Sequence, residues 1–232
     1  MDLTTQTKAS SGTEVLDKLL EGGFENDVIT TIYGPAGTGK TNFCIAASIQ
    51  AAKNGKKVIY IDSEGGFSVE RFKQMINGSG EKEEIINNII FYKPTTFEEQ
   101  RETFEKLKEA VNENTGLIVF DSVAMLYRLE VGKTDDIVSV NRELGQQIAS
   151  LTEITRKNNI PILLTNQVYS DFENPDNVKL VGGDILKYGS KSLIELKNLH
   201  SNKRGAILKK HRSLPKKEIA FEIKEEGLFE IE

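Results

Sequence analysis

At 232 residues, 38% of them hydrophobic and 28% charged, the chain is long enough to bury a full core and has the balance of a globular protein. Its one cysteine, Cys44, excludes an intrachain disulfide and suits a reducing, cytoplasmic setting, and with only two histidines, His200 and His211, there is no Cys/His metal cluster. A net charge of −5 argues against an indiscriminate binder of polyanions, and no apolar run approaches the length of a membrane span.

In chain order, residues 1–10 are polar, carry no signal-peptide pattern and read as a mobile tail, with residues 11–232 as one domain. Ser11–Gly23, SGTEVLDKLLEGG, predicts a short helix capped by Ser11 or Thr13, with Val15, Leu16, Leu19 and Leu20 on its apolar face. Residues 28–33 read as a buried strand and Asn42–Ala52 as a helix, with the glycine-rich GPAGTGKT, Gly34–Thr41, between them. Further strands are expected at Lys57–Asp62, Ile89–Lys93, Gly116–Asp121 and Ile160–Asn166. Helices are expected at Ser68–Ile76, Phe97–Asn112 and Ile137–Asn158. Residues 77–84, Leu126–Asp136 and Val168–Val181 read as loops. Apolar strands alternating with helices predict an α/β fold, a mainly parallel sheet flanked by helices. From Ser192 on, three consecutive strands predict an antiparallel extension of one sheet edge.

Strand, glycine loop and helix in that order form the setting in which G-x-x-x-x-G-K-[ST] binds phosphate. Gly34, Gly37 and Gly39 permit backbone angles that bring main-chain N–H groups to phosphate oxygens, with Pro35, Ala36 and Thr38 completing the loop. The helix that follows, opening at Asn42, turns its unsatisfied N–H groups to the same anion. Lys40 supplies a point charge, and the Thr41 hydroxyl can ligate Mg²⁺. Ligands of parallel sheets lie beyond the carboxyl ends of the strands. The strand LIVFD ends in Asp121, suited to holding the same Mg²⁺ opposite Thr41. Glu64, in IDSEGG, could polarise an attacking water or be a solvated acid in a Gly-Gly turn. Gln167, after LLTN, could sense a γ-phosphate or simply satisfy backbone groups at a strand end. Residues 185–217 hold ten Lys or Arg and one acid, Glu195, a local charge of +9 that could meet a polyanion or form a solvated face.

IDSEGGFSVERF, LIVFDSVAMLYR, LTNQV and VGGD with KNLHSNKRG and SLPKKEIAFEI occur in the order seen in the RecA-fold strand-exchange recombinases of archaea and eukaryotes, and the chain resembles that family from about Ser11 to Glu232. The resemblance implies a RecA-like P-loop ATPase core using ATP and Mg²⁺. It makes Lys40 and Thr41 the phosphate and metal groups, Asp121 the Walker B acid, Glu64 the catalytic glutamate and Gln167 the γ-phosphate sensor, with Arg71 packed on adenine. It turns Leu126–Asp136 and Val168–Val181 into DNA-binding loops, with Arg128, Lys133 and Arg142 as DNA-facing bases, and favours the basic segment, with Lys187 and Lys191, as a nucleic-acid surface. Two departures stand out. The family's N-terminal helical domain and Phe-x-x-Ala hook have no counterpart in residues 1–10, and Asp171, Glu173 and Asp176 place acids in the second loop. The chain thus looks most similar to the family's short archaeal paralogues. That implies a recombination and repair accessory with weak ATPase activity, binding single-stranded DNA, a full-length recombinase or its own copies as a dimer or larger oligomer. A KaiC-like signalling ATPase and a nucleotide-gated mediator without direct DNA action are the alternatives.

Overall fold

The computed structural model describes residues 8–77, 82–170 and 178–231. Nine strands form one sheet: β1 Ile29–Tyr33, β2 Lys57–Asp62, β3 Ile89–Tyr92, β4 Thr115–Asp121, β5 Ile162–Asn166, β6 Ser192–Asn198, β7 Arg204–Lys210, β8 Lys217–Ile223 and β9 Leu228–Glu230. Their order is β9-β8-β7-β6-β1-β5-β4-β2-β3. From β6 to β3 every pairing is parallel; β7, β8 and β9 extend the sheet antiparallel. The central strands are buried on both faces and mostly apolar, as suits strands covered on both sides.

The helices are α1 Glu14–Leu19, α2 Lys40–Lys53, α3 Val69–Met75, α4 Lys82–Asn87, α5 Phe97–Ala110, α6 Met125–Val131, α7 Ile137–Asn158 and α8 Gly183–Gly189. One core joins α1, α2 and α3 to the sheet through residues such as Leu16, Phe43, Phe72, Tyr60 and Phe221. The other joins α5, α7 and α8 to the opposite face through Phe104, Leu144, Leu186, Phe120 and Ile162. Side-chain oxygens cap the helix starts. Thr13 accepts from the Leu16 N–H, Ser68 from Arg71, Thr96 from Glu99 and Asp136 from Ser139. Asn159, left-handed at φ 52°, ends α7.

Five expectations need correction. Lys8–Ala9, assigned to the tail, pairs antiparallel with Phe24–Glu25, while residues 1–7 lie outside the described residues. Helix α4 occupies part of the loop 77–84. Helix α6 occupies the first half of Leu126–Asp136, because Leu126 gains a buried place beside Phe97 and Val140. Val168–Ser170 and Val178–Leu180 pair as a short antiparallel ribbon within the second loop. The C-terminal extension has four strands, not three. Its first, β6, lies parallel to β1, and Gly227, at φ 156°, splits the last predicted strand into β8 and β9.

Candidate nucleotide site and nucleic-acid face

The carboxyl ends of β1, β2, β4 and β5 lie side by side, and four predicted groups stand on them or just beyond. β1 runs into the glycine loop. Gly34 has φ 154°, and a Cβ there would lie 2.3 Å from the Leu196 carbonyl oxygen of β6. Gly39 has φ 100° and forms the N-cap of α2 without a side-chain cap, so the first N–H groups of the helix keep their donors for another partner. Within the loop, Thr38 Oγ1 donates to the Pro35 carbonyl at 2.8 Å. Lys40 Nζ donates to the carbonyls of Gly34 at 2.9 Å and Pro35 at 3.0 Å. Burial draws the Lys40 pKa down, against the opposing pull of Glu64 and Asp121.

Asp121, at the end of β4, is 1% exposed and accepts from three hydroxyls: Thr41 Oγ1 at 2.7 Å, Tyr60 Oη at 3.1 Å and Thr165 Oγ1 at 2.5 Å. Burial raises its pKa, and these donors oppose the rise. The Asp121–Ser122 peptide is cis. Hydroxyl and carboxylate side by side are hard oxygen ligands, and a cation that keeps most of its waters needs few of them, so the pair fits Mg²⁺. Among the described residues no cluster of three His, Cys, Asp or Glu forms a cage that could hold a metal without such help.

Asp62, at the end of β2, folds the next turn around itself: its Oδ1 accepts from Gly65 N at 2.8 Å and Gly66 N at 3.1 Å. That turn holds Glu64, whose Oε1 accepts a hydrogen bond from Gln167 Nε2, beyond β5. Arg71 crosses from α3. Its Nε donates to Asn42 Oδ1 at 2.5 Å and its Nη1 to the Glu225 carbonyl at 2.7 Å, in the turn between β8 and β9. A cavity of about 580 Å³ joins the loop residues Ala36–Asn42 except Thr38 with Glu64, Arg71, Ile223 and Lys224. Arg204, at the start of β7, lines it too, with Nε donating to the Gly37 carbonyl at 3.2 Å. The sequence reading missed Arg204; its only signal was a basic pair, Lys203 and Arg204, ahead of a strand.

The basic candidates divide. Arg128, on α6, is exposed and holds its guanidinium 4.9 Å from the centre of the Tyr169 ring. Lys133 and Arg142 are exposed, after α6 and on α7. Lys187, on α8, and Lys191, just beyond it, are exposed on the other side of the ribbon in sequence. Tyr127 and Tyr169 line the same cavity of about 1120 Å³ as Lys187, which brings the first of these groups against the second. Lys133 and Arg142 do not line it. Asp171, Glu173 and Asp176 lie outside the described residues.

Comparison with known proteins gives a consistent picture. The sequence pattern of the Rad51 family matches residues 4–231. A DNA repair and recombination protein RadB of Methanobrevibacter smithii is 42% identical over 220 residues, covering 92% of each chain. Its namesake in Methanococcus maripaludis is 44% identical over 217 residues, 92% of this chain and 97% of that one. Among solved structures, a crystal structure of the RadB recombinase superposes with a TM-score of 0.82 at 36% identity, over 97% of this chain and all of the other.

Proposed function

The chain belongs to the Rad51 family, and from that premise we propose that it is an ATP- and DNA-binding accessory of recombination and repair that hydrolyses ATP slowly. One observation carries the reading: Lys40, Thr41, Asp121, Glu64 and Gln167, from four separate stretches of chain, converge on one end of the sheet beside the glycine loop. The amides of residues 34–41 and the N-terminus of α2 cradle the phosphates, and Lys40 releases its loop carbonyls to meet them. Thr41 and Asp121 would hold Mg²⁺, which would supply charge neutralisation at the phosphates. Glu64 orients the attacking water and takes its proton. Gln167 exchanges its contact with Glu64 for the terminal phosphate or that water, and so passes nucleotide state to the ribbon that follows it. Arg71, braced between Asn42 and the β8–β9 turn, stacks on the base.

Arg128, Lys133 and Arg142, with Lys187 and Lys191 across the ribbon, form the face for single-stranded DNA. Phosphate contacts make that binding fall steeply with salt. A full-length recombinase or a second copy of this chain is the expected protein partner.

ATP turnover of wild type and Glu64→Gln, with and without single-stranded DNA, tests the reading. Wild type should turn over slowly and faster with DNA. Glu64→Gln should keep ATP binding and lose about 10²-fold or more in rate. Equal rates would remove Glu64 from the chemistry.

A further inference from the structure

The hairpin between β6 and β7 reaches the glycine loop. β6 pairs with β1 as far as Glu195 beside Tyr33, then continues to Asn198, past the point where β1 gives way to the loop. The turn 199–203 brings the chain back. It is closed by the Leu199 N–H, bonded to the Lys203 carbonyl at 2.9 Å, and it passes through left-handed Ser201 and Asn202, φ 59° and 60°. Arg204 is the first residue of β7, opposite Asn198 of β6 on one side and Phe221 of β8 on the other. Two neighbouring strands thus fix its backbone, and a group mounted on a strand is placed more precisely than one on a loop.

From there the half-buried side chain enters the nucleotide cavity. Its hydrogen bonds go to main-chain carbonyls, Nε to Gly37 at 3.2 Å and Nη1 to Asn202 at 3.0 Å, and among the described residues no carboxylate pairs with it. The cavity's other cations divide. Arg71 is braced against Asn42 and the Glu225 carbonyl, and Lys224 pairs with Glu222 at 2.7 Å. That leaves Lys40 and Arg204, and both donate to carbonyls of the glycine loop. A cation resting on neutral carbonyls can turn to an anion without breaking an ion pair. The 3.2 Å contact of Arg204 is longer than the about 2.7–2.9 Å of a charge-assisted bond, so little is lost in the exchange. A triphosphate carries more negative charge than one divalent cation and one lysine offset, and the planar fork of a guanidinium suits phosphate oxygens. In phosphoryl transfer an arginine at the terminal phosphate stabilises the developing charge, whether the same chain or a partner supplies it.

We propose that Arg204 is a ligand of the terminal phosphate of ATP, reaching it from within the same chain. The inference rests on the nucleotide-binding part of the function proposed above and adds to it a second phosphate cation, carried by the β6–β7 hairpin. It also sets a discrimination. A guanidinium that only braced the Gly37 carbonyl would serve ATP and ADP alike, because the loop amides cradle phosphates that both nucleotides share. A ligand of the terminal phosphate serves ATP alone.

The test displaces a fluorescent ADP analogue from the full chain with ATP and with ADP, in the presence of Mg²⁺. Arg204→Gln should weaken ATP about 10- to 100-fold and leave ADP nearly unchanged. Arg204→Lys should recover part of the loss. Thermal melts without nucleotide show whether each variant is folded; if Arg204→Gln melts early, the ATP-to-ADP ratio of Arg204→Lys carries the same comparison, with an intermediate loss expected. Turnover of an equal mixture of Arg204→Gln and Lys40→Ala separates the two sources of the arginine. A same-chain arginine leaves the mixture as slow as its parts, and recovered turnover would overturn that assignment in favour of a neighbouring copy. ATP and ADP weakened equally, or neither weakened, would overturn the ligand and leave the nucleotide-binding reading intact. No binding of either nucleotide by wild type would overturn both.

Discussion

Gly34 shows how tightly single positions are determined around the glycine loop. Its missing Cβ is the clearance for the Leu196 carbonyl of β6, 2.3 Å from where that carbon would stand, and a strand carbonyl cannot step aside. Gly34→Ala should therefore destabilise the fold by roughly 1–3 kcal/mol through overpacking alone, read from urea midpoints at constant m-value. Gly37→Ala is the internal control, since its Cβ would meet nothing within 4 Å and only the left-handed backbone at φ 76° resists it. Equal midpoints for Gly34→Ala and wild type would refute the clearance. At this scale, legibility followed sequence distance. The loop residues and Asp121 announce themselves through local patterns, a glycine motif and an acid after an apolar run. Arg204 and Tyr33 acquire meaning only from partners far along the chain: Arg204 lies 167 residues from the carbonyl it touches.

Among the connecting elements, the segment between β7 and β8 is pinned by a histidine that must stay neutral. His211 Nδ1 accepts the N–H groups of Ser213 at 3.2 Å and Leu214 at 3.1 Å, which leaves that nitrogen no room for a proton. Its Nε2 lies 3.7 Å from Glu25, and the side chain is 1% exposed. Burial lowers its pKa; Glu25 and Glu21 oppose this, while Lys8 and Arg212 add to it. The unfolded chain, titrating near the ordinary 6.5, takes up the proton first. The stabilisation is thus complete above that pH and is lost as pH falls toward the lowered folded value. Urea midpoints measured from pH 7.5 down to 5.5 should fall for wild type, and His211→Gln should flatten the part due to this ring. Parallel curves for the two proteins would exclude His211 as the titrating group. Elements were legible where periodicity was long, as in α7, whose predicted bounds Ile137–Asn158 are those observed. Short helices were not. α6 spans seven residues and exists because Leu126 is buried against Phe97 and Val140, a tertiary effect that no local pattern carries.

At the scale of the whole molecule the fold is RecA-like, a large mainly parallel sheet with helices on both faces and antiparallel strands at its C-terminal edge. Alternating strands and helices made that class readable, whereas the insertion of β6 beside β1 was not, since strand order is decided by which faces need covering after the chain has left the strand. A ligand of the folded state alone stabilises the entire domain. ATP with Mg²⁺ at a hundredfold over its dissociation constant should raise stability by about 2.7 kcal/mol. Lys40→Ala should lose most of that gain, and the same thermal shift in both proteins would remove Lys40 from the site. The position of β1 also has a mechanical result. Tyr33, the last residue of the strand, borders one cavity, and Gly34, next in the chain, opens the loop that borders the other. The end of β1 is held in place there, since the Gly34 N–H is bonded to the Asn166 carbonyl of β5 at 3.3 Å. Displacing the end of β1 would therefore shift a wall residue of one cavity and the start of the loop around the other together.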